Sequence, residues 1–499
     1  MRSAAEQLGV KKKIKKSQTA KITSFIGVSL IQFFQKESSY ASKGYSRWFV
    51  PVSALCIHLC IGQIYAFSVF NEPLTKIIGV AEQAPDDWKL TEIGWVFKIA
   101  IFFLGASAAI FGKWVERAGP RKTMLLSALC FSSGFIISAI GVKTHEIWLM
   151  YLGSGVIGGI GLGLGYISPV STLIKWFPDK PGMATGMAIM GFGGGAMIAS
   201  PLSVKLMDYF GSEAGQGVYE TFATMGCLYF VVMLMGSLLV RLPGKDFAPK
   251  NAKSRLQKKR ITSANVLADQ AIKTPQFWLL FMVLLLNVSA GIGVLGQASV
   301  MIQEVFSLES VGPDLAMDAA SAAAFVGMLS LFNMLGRFVW SSLSDYLGRK
   351  NTYTIFFILG MALYVAVPFA GSMKGIVLFC VAFSIIMSMY GGGFATIPAY
   401  LKDLFGTKQV GAIHGRLLLA WSLAAIVGPV TINYLRDYQI NELGKPSYEV
   451  YNLTMYLMAG LLFIGLICNL FVKEVDAKHH SSEEIGSDQR PQPSMPPKQ

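Results

Sequence analysis

Charged residues are scarce in this sequence, and no acidic residue lies in the middle of any long apolar run. Only 14% of the 499 residues are charged, against the roughly 25% that is usual in soluble chains. By contrast, 53% are hydrophobic, and the mean hydropathy is +0.50. This composition excludes a cytosolic enzyme, a disordered chain and a collagen-like chain, so most of the molecule is expected to lie in lipid.

Cysteine is also rare, and every cysteine lies in an apolar run without metal-site spacing, so neither a disulfide framework nor a metal site is expected. The six are Cys56, Cys60, Cys130, Cys227, Cys380 and Cys468. Residues 153–158 match the dinucleotide pattern G-x-G-x-x-G, but they lie inside an apolar helix with no strand before it. The sequence has no nucleophile triad and no paired catalytic acids. We therefore expect no enzyme activity and no cofactor.

Twelve runs reach the length of about 20 apolar residues that a helix needs to cross the hydrocarbon core. Because lipid cannot satisfy free backbone N–H and C=O groups, these runs are expected to be helices, which predicts an all-α membrane protein. The runs are 47–70, 92–112, 121–141, 147–173, 184–208, 220–241, 276–303, 318–341, 351–371, 374–400, 411–434 and 451–472.

The basic residues predict the orientation of these spans. With the amino terminus in the cytoplasm, 33 of the 43 Lys and Arg residues fall in cytoplasmic segments and six fall outside. This asymmetry predicts that both termini lie in the cytoplasm. The net charge of +14 is spread over these segments, so no nucleic-acid partner is expected.

The segments outside the spans differ in character from the two helical bundles. We expect a basic cytoplasmic segment (1–46), a first six-helix bundle (47–241), a central cytoplasmic loop (242–275), a second six-helix bundle (276–472) and a disordered tail (473–499). The central loop is expected to hold a surface helix near 263–273. Apolar residues at helical spacing in the first segment predict another helix on the membrane surface: Ile22, Phe25, Ile26, Leu30 and Phe33.

The chain contains one pattern twice. Glu116 is followed three residues later by Gly119, and Asp345 is followed in the same way by Gly348, 229 positions further on. Four other pairs repeat at offsets of 228 or 229: Tyr166 and Phe394, Phe177 and Phe405, Gly186 and Gly415, Pro201 and Pro429. A constant offset across several spans indicates an internal duplication. The bundles are therefore expected to be parallel repeats of six helices each, as in many transporters.

The repeated loop resembles the signature of the major facilitator superfamily, which lies between helices two and three and again between helices eight and nine. The resemblance implies a transporter in which these charges form contacts that hold one conformation. The residues concerned are Glu116, Arg117, Arg121, Asp345, Arg349 and Lys350. The alternative is a basic cytoplasmic loop that contains a turn by chance, but such a loop would not be expected to occur again at the same offset in the second half. More narrowly, residues 175–182, 273–278 and 405–407 resemble the oxalate:formate antiporter family.

Arg337 is the first candidate site residue. It lies eight residues before Asp345, about 12 Å deeper along a helix. A charge at the bilayer centre costs about 2.5–3.5 kcal/mol, which favours a functional role. A guanidinium can hold a carboxylate through two parallel hydrogen bonds, and the resemblance implies a substrate-binding arginine at this position. The alternative is an arginine that reaches the headgroups or binds backbone carbonyls.

Other polar residues are expected to complete the cavity. Three tyrosines match aromatic positions of the family, although packing between helices is an equally good reason for each one alone. Three amides add uncharged polar groups. The six are Tyr65, Tyr166, Tyr390, Gln63, Asn287 and Asn333.

Trp421 stands, by an ungapped count, where the family has a lysine that contacts the second carboxylate of oxalate. The loss of this cation favours a monocarboxylate such as lactate, pyruvate or formate. We therefore expect a secondary transporter of a small organic anion, monomeric in the lipid bilayer, that works by alternating access. A carrier of an amino acid, sugar or drug and a non-transporting membrane sensor are the alternatives.

The coupling ion is left open by the sequence. Animal monocarboxylate carriers, as distant relatives, imply a lysine and an acid where this chain has Val69 and Asn333. His58 can titrate near neutrality, although a buried histidine bonded to a neighbouring helix is the other interpretation. Lys98 either extends an anion path or reaches towards the headgroups. Exchange against a counter-anion and transport with a proton both fit these residues.

Overall fold

A computed structural model describes residues 32–80, 82–211, 216–244, 247 and 265–481. These residues form a helical protein whose only β-type pairings are two isolated bridges. Twelve of the described helices are long and apolar enough to cross a membrane. The first six are α1 (Phe49–Leu74), α2 (Leu90–Ala118), α3 (Pro120–Lys143), α4 (Ile147–Trp176), α5 (Pro181–Phe210) and α6 (Val218–Leu239). The second six are α7 (Pro275–Val305), α8 (Ser321–Leu347), α9 (Arg349–Ser372), α10 (Ile376–Phe405), α11 (Val410–Asn441) and α12 (Tyr451–Phe471).

All twelve predicted spans are present, which confirms the predicted fold class. Several helices are longer than their apolar runs: α2 continues to Ala118, α8 to Leu347 and α11 to Asn441. Hydrophobicity marks only the part of a helix that lies in hydrocarbon. The helices continue beyond it because backbone hydrogen bonding continues where the side chains become polar.

Three spans depart from a regular α-helix. The backbone of α1 tightens to a 3₁₀ helix over Gly62–Phe70, and that of α4 widens to a π-helix over Tyr151–Ile157. In α11 the regular α-helix is interrupted at Leu418. A Cβ at Gly62 would collide with the backbone of Phe192, so α1 and α5 approach closely there. Such irregular turns are frequent at functional sites.

The two halves of the molecule, α1–α6 and α7–α12, pack their helices in the same order. In the first half α1 packs on α5, α2 on α4 and α3 on α6. In the second half α7 packs on α11, α8 on α10 and α9 on α12. The α2–α3 and α8–α9 loops turn at Gly119 and Gly348, whose φ angles of +85° and +87° favour glycine. This equivalence confirms two parallel six-helix repeats.

The halves meet mainly where α5 packs on α8 and α2 on α11. We call the end of the molecule that holds the Gly119 and Gly348 loops the basic end. Near that end the Thr185 hydroxyl of α5 donates to the carbonyl of Ala395 in α10 at 2.6 Å. Near the middle of α2, the Ser422 hydroxyl of α11 donates to the carbonyl of Ile101 at 2.7 Å. The halves are therefore in contact from the basic end to mid-helix.

The segment that precedes α1 packs on the basic end. The amide of Ala41 donates to the carbonyl of Leu242 at 2.8 Å, and the amide of Leu242 donates to Ser39 at 2.7 Å. The Arg121 guanidinium lies 4.1 Å from the ring centroid of Phe33. Of the apolar positions that predicted a surface helix in 1–46, only Phe33 belongs to the described residues.

Two predictions about the basic end need correction. The helix expected near 263–273 extends only over Ala268–Ala271 among the described residues. Val266 before it pairs instead with His480, and its amide donates to the carbonyl of Phe405 at 2.9 Å. The sequence predicted disorder from residue 473 onwards. Residues 473–481 instead contact the rest of the protein, because His480 pairs with Val266 and the Ser481 amide donates to the carbonyl of Asn265. Residues 482–499 lie outside the described part of the chain.

The outer surface of the helices is apolar. Large hydrophobic side chains on it are exposed, among them Ile110 at 72% and Val377 at 77%. Soluble monomers seldom expose apolar surface on this scale, and a multi-pass membrane protein buries it in lipid.

Candidate anion-binding site

Arg337 of α8 lies between the two halves of the molecule and is fully buried. Its guanidinium carbon is 5.6 Å from the ring centroid of Phe192 in α5 and 5.3 Å from that of Phe394 in α10. One ring thus comes from each half. Aromatic faces attract a cation, and this attraction is stronger where water is excluded.

The hydrogen bonds of Arg337 leave its charge uncompensated. Its Nε donates to Oδ1 of Asn333 at 3.1 Å, and Nη1 makes a long bond of 3.4 Å to the carbonyl of Ile189. Nη2 has no partner among the described residues, and no described carboxylate pairs with the guanidinium. An unpaired buried charge is costly. A carboxylate placed here would supply both the missing charge and the missing acceptor.

Gly193 allows α5 to lie directly against the guanidinium. A Cβ at this glycine would stand 2.7 Å from Nε of Arg337 and 3.3 Å from Cα of Met334. Any larger residue would therefore displace the arginine side chain. Gly193 belongs to the segment 191–195 in the middle of α5, in which every residue except Phe192 is glycine.

Three tyrosines converge on the same region. Tyr166 and Tyr390 are buried, and Tyr65 is half-buried. The rings of Tyr65 and Tyr166 pack edge-on against Phe192 at centroid distances of 5.2 and 5.4 Å. The Tyr390 ring packs edge-on against Phe394 at a centroid distance of 5.3 Å. None of the three hydroxyls forms a hydrogen bond of normal geometry with a described residue, so each can donate to a ligand.

Trp421 of α11 lies at the centre of this cluster. It is fully buried, with ring centroids 4.7 Å from Phe394, 5.4 Å from Phe192 and 5.6 Å from Tyr166. Its Nε1 has no hydrogen-bond partner in the described part of the chain. The residue at the position of the family's lysine thus contributes an apolar wall and one N–H donor, but no charge.

The three predicted amides have different surroundings. Asn333 is buried and orients Arg337 through its Oδ1. Gln63 is buried in the 3₁₀ turn of α1, and its Nε2 has no described partner. Asn287 of α7 lies deeper in the second half, beside Tyr390 and Tyr364, with an unpartnered Oδ1.

Sequence reasoning missed Phe192 and Phe394, which enclose the arginine. A phenylalanine in an apolar span gives no sign of whether it faces lipid or a partner helix. One signal was present, because Phe394 is the repeat equivalent of Tyr166. Because Tyr166 was a candidate site residue, its repeat equivalent Phe394 could have been considered a candidate as well.

The two acids of the repeated motif both connect the halves at the basic end. The Asp345 carboxylate of α8 accepts from the backbone amides of Gly182 and Met183 in α5, both at 2.9 Å. It also pairs with Arg349 at 2.6 Å. These partners make Asp345 an anion at a helix N-terminus, a favourable arrangement.

Glu116 of α2 makes the equivalent contact on the other side. It accepts from the Gly411 amide of α11 at 3.2 Å, from the Ser171 hydroxyl at 2.6 Å and from Lys175, with which it forms an ion pair. Its basic partner is therefore Lys175 of α4 and not an arginine of its own loop.

The basic residues of the motif stabilise their own halves. Arg121 donates to the carbonyls of Phe33 and Ser38, and Lys350 donates to those of Leu470 and Val472. Arg349 joins Asp345 to Asp403 within the second half. Arg117 is exposed. Charge contacts between the halves are made by the acids.

A further ion-pair bridge was not expected from the sequence. Asp269, in the short helix before α7, pairs with Lys113 of α2 and with Arg416 of α11. The side-chain hydrogen bonds from Lys113 and Arg416 lower the pKa of the Asp269 carboxyl to about 2. The carboxylate therefore stays charged at any physiological pH.

Comparison with known proteins adds the family. A family model described as the Major Facilitator Superfamily matches residues 53–429. The chain belongs to the Major Facilitator Superfamily. It is thus a multi-pass membrane transporter of that superfamily, as the repeated loop predicted.

Two relatives within the superfamily carry anion substrates in their names. The chain is 24% identical over 384 residues to the oxalate:formate antiporter of Oxalobacter formigenes, which covers 77% of this chain and 83% of the relative. It is 25% identical over 386 residues to monocarboxylate transporter 4 of Gallus gallus, with 75% and 74% covered. The crystal structure of the E. coli fucose:proton symporter shares the fold, with a TM-score of 0.59, 15% identity, and coverage of 86% of this chain and 100% of that chain.

Proposed function

We propose that this protein transports a small monocarboxylate across the cell membrane, with Arg337 as the residue that binds the carboxylate. The observation that carries the proposal is the buried guanidinium between the halves, which has no carboxylate partner among the described residues. The hydroxyls of Tyr65, Tyr166 and Tyr390 and the indole N–H of Trp421 supply further donors around it. The relatives named for oxalate, formate and monocarboxylates agree with this ligand class.

One charge in the substrate fits these surroundings better than two. Within the cluster of aromatic rings Arg337 is the only cation among the described residues. A second carboxylate would face Trp421 and the phenylalanine rings and would lose its hydration without gaining a counter-charge. The apolar rings suit the short alkyl part of lactate or pyruvate.

The same geometry supports alternating access as the transport mechanism. We propose that the basic end faces the cytoplasm, with both termini there, because cytoplasmic loops carry the excess of Lys and Arg. The bundles 47–241 and 276–472 would then rock against each other around Arg337. The contacts of Asp345 and Glu116 join the halves at the basic end, which supports entry of the substrate from outside in this conformation.

Counterflow in proteoliposomes tests the proposal. We expect the wild-type protein to exchange labelled lactate, pyruvate or formate faster than oxalate. Arg337→Lys keeps the positive charge but cannot form two parallel hydrogen bonds to a carboxylate. Arg337→Ala removes both the charge and the hydrogen bonds. Because hydrogen bonds to charged groups contribute about 1.5–3 kcal/mol each, Arg337→Ala is expected to weaken apparent affinity at least about tenfold. The matched control is Arg117→Ala, since Arg117 is exposed.

Normal exchange by Arg337→Ala, at wild-type affinity, would exclude Arg337 as the carboxylate ligand. Failure of the wild-type protein to exchange any of the four acids would exclude the substrate class and favour a carrier of another solute. Each variant's thermal unfolding in detergent would separate loss of binding from loss of folding.

A further inference from the structure

Two histidines, one from each half of the molecule, lie buried on either side of Tyr166. His58 of α1 and His414 of α11 are 0% and 1% exposed. Their ring centroids lie 5.5 and 5.8 Å from that of Tyr166. None of the four ring nitrogens has a hydrogen-bond partner among the described residues. Because a buried polar atom without a partner costs about 1–3 kcal/mol, four such nitrogens call for an explanation.

We propose that His58 and His414 form a proton-binding pair that couples proton movement to carboxylate transport, a proposal that rests on the proposed function. The proton comes from water on the side to which the site is open, and it binds the lone pair of an unpartnered ring nitrogen. One proton taken up with one monocarboxylate leaves the loaded protein with no change in net charge.

In the described part of the chain, no carboxylate is hydrogen-bonded to either ring. His58 and His414 both lie beside the Tyr166 ring, which packs on Phe192. The guanidinium carbon of Arg337 lies 5.6 Å from the centroid of that phenylalanine ring. On the helices packed against either histidine, several charged residues are paired near the basic end: Glu116, Lys175, Lys113, Asp269, Arg416, Lys402 and Asp403. Other charged residues lie towards the opposite end of these helices, among them Glu92 and Lys98 on α2, Lys205 and Asp208 on α5, and Glu220 on α6.

Arg337 supplies the coupling between anion and proton. Its positive charge opposes an imidazolium at His58 as long as the guanidinium is uncompensated. A carboxylate bound to Arg337 cancels that charge, so protonation of the pair becomes more favourable. By linkage, a bound proton strengthens anion binding to the same extent.

Both rings pack against the same side chain, that of Tyr166. Two imidazolium ions at this separation would repel each other, so the pair is expected to hold a single proton.

The position of the pair connects protonation to the conformational change. His58 lies seven residues from Tyr65 towards the basic end, and His414 lies seven residues from Trp421 in the same direction. That is about 10 Å along each helix. Because the histidines belong to different halves, opening of the basic end separates them and admits water, so the proton leaves on that side.

Proteoliposomes with a pH gradient test the pairing. With external pH 6, internal pH 7 and the membrane potential clamped at zero, one proton per anion drives about tenfold accumulation of the monocarboxylate. We expect His58→Gln and His414→Gln to reduce the accumulation ratio to about one while counterflow stays measurable. The matched control is His145→Gln, because His145 stacks on Trp88 outside the spans; this variant should accumulate as the wild type does.

The outcomes separate this inference from the proposed function. Absence of counterflow in the wild-type protein contradicts the proposed function itself. Counterflow without gradient-driven accumulation in the wild type, or full accumulation by both histidine variants, overturns the proton pair alone. Loss of counterflow in folded histidine variants also overturns it, since the histidines would then belong to the anion step.

A measurement on the wild-type protein tests the proton pair without depending on the folding of any variant. Addition of saturating lactate to the unbuffered wild-type protein in detergent at pH 7 should remove about one proton per bound anion from solution. No uptake would refute the pair. If a glutamine variant does not fold, the asparagine variant at the same position, His58→Asn or His414→Asn, is used in its place.

Discussion

Replacement of Asp345 by asparagine should open the basic end of the molecule. The Asp345 side chain is 4% exposed and accepts two amide hydrogen bonds from α5, in the other half. Asparagine retains one carbonyl acceptor without charge, so one of these bonds is lost and the other is weakened. It also leaves Arg349 with Asp403 as its remaining carboxylate partner.

The expected shift can be worked from these contacts. A hydrogen bond to a charged group contributes about 1.5–3 kcal/mol, and a neutral one contributes about half as much. The loss of one bond and the weakening of the other destabilise the closed basic end by about 2–4 kcal/mol. That corresponds to a change of about 30-fold to 1,000-fold in the equilibrium between closed and open forms.

Labelling of a buried reporter measures this opening. Thr185 is buried where α5 meets α10, so a Thr185→Cys reporter reacts only when the halves separate. With the six native cysteines replaced by alanine, Asp345→Asn should accelerate reaction with a membrane-impermeant maleimide at least about tenfold. The control is Asp179→Asn, because Asp179 pairs with Arg47 inside the first half at 2.9 Å. Equal labelling rates in the two variants would refute the reasoning.

Two other substitutions test the walls of the site. Trp421→Lys adds a cation beside the Arg337 cluster and should shift preference towards oxalate in competition counterflow; an unchanged preference would remove the argument for monocarboxylates. Gly193→Ala places a Cβ 2.7 Å from Nε of Arg337, and overpacking of about 1–3 kcal/mol should weaken apparent anion affinity about tenfold. Gly296→Ala, where nothing lies within 4 Å, is its control, and equal affinities in the two variants would contradict the contact.

The sequence predicted the helices well because the bilayer imposes a simple rule on them. A run of about 20 apolar residues has no other stable conformation in lipid, so all twelve spans could be located. The constant offset of the repeats then predicted which loops are equivalent. Arg337 was identifiable for a related reason, since a charge inside an apolar run stands out from its neighbours.

The neighbours of Arg337 could not be found in the same way. Phe192, Phe394 and His414 approach Arg337 or Tyr166 from helices far away in the chain. Nothing in the local sequence distinguishes a ring that faces the other half from one that faces lipid. Likewise, Glu116 pairs with Lys175 because α2 packs on α4, and the local sequence does not indicate that packing.

The two phenylalanine rings beside Arg337 belong to different halves of the molecule. In the proposed rocking motion Phe192 would move with α5 and Phe394 with α10, so the surroundings of the guanidinium would change. With both rings in place the cation would be shielded from water and would attract an anion strongly; as the rings part, hydration of the cation would compete with the ligand. The affinity for the substrate would then differ between binding and release, although the arginine itself does not change.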